Sequence, residues 1–291
     1  MHDVMPNRQM NIRSAYDYVG KRASRYDGMM ASGTWTGRLA LRLFWQLSPE
    51  DYDAFLAQMF AGLPKDFSGR LLEVPVGTGV LSLPRYRELP KAEITCLDYS
   101  NHMLQAARAR AHTLGLDSIA FRQGDVAQMP FEDESFDLLL SIDGLHAFPQ
   151  KDAALAEMHR VLAPDGILTG CTYIRGENAI TDLFVRTFCT WRGYFTPPFD
   201  TFTSLHERLS QHYEILSLTH TGSFAGFTCR KKELKAVQDD IASQTFTDTT
   251  VQPFHITASF GLSDIHTEAD SSCAIHRADT HLYHHKEEAH H

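Results

Sequence analysis

The chain has 291 residues, of which 43% are hydrophobic, and its formal net charge is −9 at pH 7. This length and composition are sufficient for one full α/β core and a smaller appendage. The acidic balance argues against a nucleic-acid partner, because binding to a phosphate backbone requires a basic surface. No apolar run in the sequence reaches the length of a membrane span, so no integral membrane segment is expected.

The five cysteines are scattered along the chain and form no C-x-x-C pair. Three of them fall in predicted strands, where cysteine is usually a small buried apolar side chain. Residues 1–6 also lack the charged-then-apolar pattern of a secretory signal peptide. These features together predict a cytoplasmic protein with reduced thiols.

Residues 11–46 are polar and aromatic and are predicted to be helical, and residues 49–62 are predicted to form a second, amphipathic helix. Residues 71–79 then read LLEVPVGTG, a short apolar strand that ends in a turn of small residues. A second predicted strand ends at Asp98, nineteen positions after Gly79. Such a turn lets the backbone approach a ligand, and the carboxylate can accept hydrogen bonds from a ribose diol.

The glycine spacing distinguishes between kinds of nucleotide site. A dinucleotide-binding turn has the pattern G-x-G-x-x-G, and a Walker phosphate loop ends in Lys-Ser or Lys-Thr. Here Gly79 is followed by Val80, Leu81 and Ser82, which satisfies neither pattern. A ligand that has a ribose but no phosphate is therefore favoured.

Residues 73–79 resemble motif I of the class I S-adenosylmethionine (SAM) methyltransferases, in which an acidic residue is followed by x-G-x-G-x-G. The chain departs from this motif at Pro75, which stands where the first glycine is usual. Proline has φ near about −65° and no N–H, so it cannot form a turn that requires positive φ. We expect the loop to use an ordinary φ at Pro75, and the alternative is weakened SAM binding.

Later segments match the same family in order. Residues 121–126 (FRQGDV) place Asp125 where the family contacts the adenine amino group. Residues 135–141 predict a strand buried in a parallel sheet, and residues 142–148 (IDGLHAF) stand at the family's fourth motif. Residues 157–166 (EMHRVLAPDG) resemble E-x-x-R-V-L-x-P-G-G, with Asp165 for the first glycine, which Asp tolerates in a left-handed turn.

The alternation of strands and helices predicts a mostly parallel sheet, which residues 213–218 and 224–230 would complete as an antiparallel hairpin. The resemblance implies an α/β fold, namely a Rossmann-like class I methyltransferase sheet that is mostly parallel, with an antiparallel last strand, helices on both sides and a short α/β C-terminal appendage. Residues 11–46 also resemble the N-terminal segment that closes over the cofactor in ubiquinone/menaquinone C-methyltransferases, so residues 11–62 are predicted to be a helical cap.

The resemblance implies SAM as the cofactor, bound at the carboxyl ends of the strands. Glu73 and the loop glycines would shape the cofactor loop, Asp98 would hold the ribose, and Asp125 with Val126 would frame the adenine. The full set of implied cofactor-binding residues is Tyr26, Glu73, Pro75, Gly77, Gly79, Asp98, Tyr99, Met103, Asp125, Val126 and Ser141.

Methyl transfer requires an acceptor that is held in line with the methyl group in a site from which water is excluded. The aromatic-rich segment 184–202 and the N-terminal tyrosines are suited to such a pocket, and for each single ring a place in the core is the alternative. An acidic acceptor needs a base, for which His146 and Asp143 are the catalytic candidates. For His146 the alternative is pocket shape or capping. A small, apolar or aromatic methyl acceptor is expected, and its methylated atom is left open.

From Glu233 onward, ten acidic residues stand against three basic ones, whereas the rest of the chain has a net charge of only −2. Residues 1–232 are therefore predicted to be the methyltransferase domain. Residues 255–262 (HITASFGL) and 277–286 (RADTHLYHHK) resemble the closing third of a GGDEF (diguanylate cyclase) domain, but the GGDEF signature is absent from the sequence. Residues 233–291 are predicted to be a truncated, non-catalytic tail, and its histidines a solvated face without metal.

Two other functional classes stay open. One is a SAM-binding or regulatory module without turnover, suggested by Pro75 and the fused tail. The other is a signalling protein that binds a cyclic dinucleotide through the tail and its Lys286. The sequence does not indicate an oligomeric state.

Overall fold

The computed structural model describes residues 42–233. In this range the strands are β1 (Arg70–Glu73), β2 (Glu93–Asp98), β3 (Ala120–Gln123), β4 (Phe136–Ile142), β5 (Leu162–Tyr173), β6 (Tyr213–Thr221) and β7 (Phe224–Lys231). The helices are α1 (Pro49–Met59), α2 (Leu83–Tyr86), α3 (Asn101–Thr113), α4 (Lys151–Val161), α5 (Ala179–Phe184), which continues as a π-helical turn (Val185–Cys189), and α6 (Phe202–Ser210).

These seven strands form one sheet in the order β3-β2-β1-β4-β5-β7-β6. All pairs from β3 to β5 are parallel, and β7 runs antiparallel to both β5 and β6. The predicted fold class and the antiparallel closing hairpin are therefore confirmed. The strand order reverses between β1 and β4, so the carboxyl ends of these two strands flank the crevice where open α/β sheets bind ligands.

The two central strands supply apolar side chains to both faces of the sheet. Leu71, Leu138 and Leu140 belong to one buried cluster, whereas Leu72 and Leu139 belong to a second. Successive side chains of a strand point to opposite faces, so one apolar run can serve two cores. Helices cover both faces, which is why these strands are continuously apolar.

Local signals start and end the helix that follows β2. The Ser100 side chain accepts a hydrogen bond from the Met103 N–H at the start of α3. Just after the end of α3, Gly115 has φ +70. Serine is a favoured residue at a helix N-cap, and glycine is favoured in the left-handed conformation just after a helix end. Asp165 has φ +59, the left-handed conformation expected there. Helix α1 ends at Met59, three residues earlier than predicted.

Some predictions lie outside the described residues. They concern most of the N-terminal cap, Tyr26 within it, and the tail 234–291 with its GGDEF-like segments and histidines. These stay predictions. Within residues 42–233, none of the helices combines the length and hydropathy that a bilayer span needs.

Candidate active site

The loop after β1 takes its left-handed conformations at glycine residues. Gly77 has φ +55 and Gly79 has φ +65, whereas Pro75 is not among the residues of positive φ. The Val74–Pro75 peptide bond is cis. The expectation of an ordinary φ at Pro75 is therefore confirmed, and the loop keeps its turn without the first glycine of the motif.

Asp98 ties the end of β2 to this loop. Its Oδ2 accepts a hydrogen bond of 2.8 Å from the Gly77 N–H, and its Oδ1 accepts one of 2.8 Å from the Ser100 N–H. Burial raises the pKa of this carboxyl to about 6, although the N–H groups favour its ionised form. Each carboxylate oxygen has two lone pairs, so acceptor capacity is left for a ligand hydroxyl.

Glu73 lies below the loop at the end of β1 and is buried. The Tyr86 hydroxyl donates a hydrogen bond of 2.8 Å to its Oε2, and the Cys96 thiol lies 3.7 Å from the same oxygen. Burial raises the pKa of Glu73 to about 8, so its carboxyl is protonated at neutral pH. Glu73 is therefore a neutral support of the loop in the ligand-free protein.

A cavity opens where β1, β2 and β4 end. The sequence-predicted site residues that line it are Glu73, Pro75, Gly77, Gly79, Asp98, Tyr99, Met103, Asp125, Val126 and Asp143. Ser141 is fully buried and does not line this cavity. The structure thus brings together predicted residues that lie at or after the ends of four strands, β1 to β4.

Other lining residues were not among the predictions. Leu81 belongs to the glycine loop, and Ala147, Phe148 and Pro149 follow β4. Ala147 and Phe148 lie within the segment 142–148, and Leu81 and Pro149 lie close to segments that the sequence marked, but apolar residues there are also typical of an ordinary core. Their contribution to the cavity could only be found from the packing of the loops.

Asp125 follows β3 at one side of the cavity. Its Oδ1 accepts a hydrogen bond of 2.9 Å from the Ala127 N–H, which makes a local turn that orients the side chain. Val126 beside it is buried and also lines the cavity. A polar acceptor and an apolar surface therefore stand next to each other, as an adenine ring requires.

Asp143 lines the cavity at the end of β4 and has φ +52. The Cys171 thiol donates to its Oδ1 at 3.5 Å, and burial raises the pKa of the carboxyl to about 7. A carboxyl group with this pKa exchanges its proton near neutral pH, which suits a general base. Its catalytic role stays a prediction.

His146 lies behind the cavity wall and is buried. Its Nδ1 accepts a hydrogen bond of 3.1 Å from the Tyr173 N–H, and its ring centroid is 3.8 Å from that of Phe195. Burial, together with the nearby Lys151 charge, lowers the pKa of the imidazole to about 3. The ring is neutral with Nδ1 engaged, which favours a positioning role over that of a base and leaves the predicted catalytic role without geometric support.

The cavity has the features that SAM would need. A Cβ built on Gly77 would meet no atom within 4 Å, so the space in front of this glycine is open. Asp98 supplies an acceptor for a ribose diol, and Val126 and Met103 supply apolar surface for a base. The residues present therefore fit a nucleoside with an uncharged ribose and no phosphate.

Residues 71–166 match the model of the methyltransferase-domain family. They run from β1 into β5 and include the glycine loop and the three aspartates of the cavity. This segment is therefore similar to a methyltransferase domain.

The relatives match over this domain. The probable phthiotriol/phenolphthiotriol dimycocerosates methyltransferase 2 of Mycobacterium ulcerans is 41% identical over 102 residues, which are 35% of this chain and 38% of that protein. Demethylmenaquinone methyltransferase of Thermus thermophilus is 37% identical over 99 residues, which are 34% of this chain and 44% of that protein. The chain thus spans about two fifths of the length of these relatives.

A solved structure shares the fold beyond this segment. It is a SAM-dependent methyltransferase, possibly a histamine N-methyltransferase according to its description, from Thermotoga maritima. Its TM-score is 0.54 at 18% identity, and the match covers 75% of this chain and 99% of that one. This likeness shows the fold alone.

Proposed function

We propose that the protein transfers the methyl group of SAM to a small apolar or aromatic acceptor. The observation that carries the proposal is the hydrogen bond from Gly77 to Asp98, which joins the glycine loop to the acid of β2 at the edge of an open cavity. This pair places a close backbone approach beside a ribose acceptor, at the switch point of the sheet.

Different residues of the cavity would contact different parts of SAM. Asp98 would accept the ribose hydroxyls, Asp125 and Val126 would frame the adenine, and Gly77 would let the ligand approach the backbone. When bound, SAM supplies an electrophilic methyl group on a sulfonium. The apolar side chains of Met103 and Phe148 would keep water from this group.

The acceptor class is supported by the surroundings and by the relatives. Phe195 covers His146 and lies 5.7 Å from the Tyr173 ring, and Phe199 lies 5.6 Å from the same ring. The relatives are named as methyltransferases of phthiotriol or phenolphthiotriol dimycocerosates and of demethylmenaquinone. Together they support an apolar or aromatic acceptor. For an acidic acceptor we infer that Asp143, which lines the cavity, is the base.

Calorimetry with SAM and with its demethylated product tests the cofactor site. We expect both to bind the intact protein, and Asp98→Asn to weaken binding by about tenfold to hundredfold, because a charged acceptor is lost. The matched control is Asp117→Asn, at an exposed aspartate in the loop before β3, which leaves the affinity unchanged. Equal affinity of the intact protein and Asp98→Asn would refute the assignment.

The pH dependence of SAM affinity is a second test of the same site. Protonation removes acceptor capacity from Asp98, whose pKa is about 6. The affinity of the intact protein for SAM should therefore fall as pH decreases through about 6, and that fall should be smaller in Asp98→Asn.

Turnover separates the proposal from a regulatory SAM-binding module. That alternative rests on Pro75 and on the fused tail. The loop accommodates Pro75 without a positive φ, and the tail lies outside the described residues. Methyl transfer from labelled SAM to a panel of quinols and phenols is the expected result, and binding without transfer to any of them would favour the regulatory module. The cyclic-dinucleotide alternative concerns the tail, which lies outside the described residues.

A further inference from the structure

The helix formed by α5 and its π-helical turn exposes large apolar side chains. Ile180, Leu183, Phe188 and Trp191 are 56%, 62%, 42% and 77% exposed, respectively, and we refer to these four residues as the apolar stripe. Their spacings are three, five and three positions. The five-residue step crosses the π-helical turn, whose wider coil keeps the four side chains on adjoining positions of one face. Clustered exposed apolar side chains of this kind mark interaction sites.

The stripe is held in place by the opposite face of the same helix. Thr181, Val185 and Cys189 follow each other at a spacing of four and are buried. Ring stacking also extends the exposed surface, because Phe184 stacks on Phe188 at 5.3 Å and on Phe44, itself exposed, at 4.5 Å. The apolar surface is therefore part of a packed element.

The positively and negatively charged side chains around the stripe differ in their surroundings. Arg42 and Arg186 are exposed, and the guanidinium of Arg192 lies 5.7 Å from the Trp191 ring. The acids of the same segment have other partners. The carboxylate of Asp182 accepts hydrogen bonds of 2.6 Å from the Tyr173 hydroxyl and 2.9 Å from the Gly176 N–H.

The second acid of this segment, Glu177, has its Oε2 3.8 Å from Nδ1 of His220. Around the stripe, three arginines (Arg42, Arg186 and Arg192) therefore stand against these two carboxylates, which leaves a local excess of positive charge although the whole chain has a net charge of −9. Such positive charge is complementary to a negatively charged surface and not to a general protein surface of mixed charge.

We propose that the apolar stripe docks on the surface of a lipid bilayer that contains anionic lipids. Apolar side chains enter the boundary of the acyl chains, while a tryptophan and arginines remain at the level of the headgroups. Pairing of two copies through the stripe is disfavoured, because a two-fold interface brings the same arginines of both copies together. The docking is peripheral and requires no membrane-spanning helix.

A series of rings leads from the stripe toward the cavity wall. The ring centroids of Phe184 and Trp45 are 5.8 Å apart, and those of Trp45 and Phe195 are 6.0 Å apart. Phe195 in turn covers His146, with 3.8 Å between the ring centroids. Ala147, next to His146, lines the cavity. If the acceptor is apolar, which rests on the proposed function, a docked protein would face the phase in which that acceptor is dissolved. Binding to the bilayer itself does not depend on this point.

Flotation of the full-length protein with vesicles tests the proposal. We expect binding to vesicles of phosphatidylcholine mixed with phosphatidylglycerol, weaker binding to phosphatidylcholine alone, and loss of affinity at high salt. The double variant Leu183→Glu/Trp191→Glu should bind the mixed vesicles at least about tenfold more weakly. Leu216→Glu is the matched control, because Leu216 is 44% exposed on the edge strand β6, and it should bind as the intact protein does.

Three results would overturn the proposal. They are no binding of the intact protein to the mixed vesicles, equal binding of the double variant, and a dimer in solution that the double variant dissociates. Both substituted side chains are exposed, so the double variant should keep its thermal unfolding transition and its affinity for SAM. Loss of vesicle binding with unchanged SAM affinity separates this inference from the proposed function.

Discussion

Three carboxyl groups that line the cavity share an unusual property. Burial raises the pKa of Glu73 to about 8, that of Asp143 to about 7 and that of Asp98 to about 6. They differ in their hydrogen-bond partners. Asp98 accepts hydrogen bonds from two backbone N–H groups, whereas Glu73 accepts one from a tyrosine hydroxyl. The backbone donors favour the ionised form, so Asp98 is charged at neutral pH and Glu73 is not.

The protonated state of Glu73 predicts how stability depends on pH. Its pKa rises from an ordinary 4.5 to about 8 in the folded protein, so between these values the folded state holds a proton that the unfolded state lacks. Stability therefore falls as pH rises through this window. Glu73→Gln has no proton to lose, so its stability relative to the intact protein should increase from about pH 5 to about pH 9, by on the order of 3 kcal/mol.

Urea unfolding of the ligand-free protein at both pH values measures this difference. Glu207→Gln, at an exposed glutamate of α6, is the control and should show no such increase. A difference between Glu73→Gln and the intact protein that stays constant with pH would mean that Glu73 is ionised in the folded state.

At the scale of elements, the glycine loop is the part on which the site depends. It is held from β2 by Asp98 and from α3 by Arg110, whose guanidinium donates to the Thr78 carbonyl. Its two glycines have different surroundings. A Cβ on Gly79 would lie 2.4 Å from Cδ1 of Leu83, whereas a Cβ on Gly77 would project into open space. Gly79 is therefore needed for packing, and for Gly77 we propose that its open side lets a ligand approach the backbone.

Gly77→Ala and Gly115→Ala form a matched pair that separates backbone strain from loss of the site. Both glycines have positive φ, +55 and +70, and a Cβ on either meets no atom within 4 Å. Each substitution should cost about 1 kcal/mol of stability, because alanine disfavours this conformation. Only Gly77→Ala should weaken SAM binding, by about tenfold or more, since its methyl group occupies the cavity.

Thermal unfolding and calorimetry with SAM measure the two effects separately. The assignment of Gly77 to the cofactor loop would be contradicted if both variants lost SAM affinity equally, or if neither variant lost any.

At the scale of the whole molecule, the described residues 42–233 contain two buried apolar clusters. The buried apolar residues of both clusters lie between Leu47 and Cys229. The last described segment is also tied back, because Lys232 N–H donates to the His212 carbonyl at 3.2 Å and His159 Nε2 lies 2.9 Å from the Lys232 carbonyl oxygen. The domain boundary near residue 232 stays a prediction, which removal of the tail tests.

A protein that ends after Glu233 should therefore unfold cooperatively and bind SAM within about threefold of the full-length affinity. Calorimetry and thermal unfolding of both forms measure this. A loss of more than about tenfold in affinity, or aggregation of the shortened protein, would show that the tail contributes to the fold or to the site.

Much of the architecture follows from local chemistry and could be predicted from the sequence. Gly77 and Gly79 adopt left-handed conformations, Ser100 and Gly115 bound a helix, and Asp98 ends a strand, because short-range sterics and hydrogen bonding determine these features. The mostly parallel sheet and the antiparallel hairpin follow from the alternation of elements and the limited connections between them.

The tertiary structure alone decided which side chains reach the cavity. Ser141 and Asp143 are two positions apart at the end of β4, yet Ser141 is buried against Gly170 of β5 whereas Asp143 lines the cavity beyond the strand end. His146 has a suitable side chain for catalysis, but the Tyr173 N–H engages its Nδ1. The exposure of the apolar stripe likewise depends on the π-helical turn. These outcomes arise from contacts between residues far apart in the chain, which local sequence patterns do not specify.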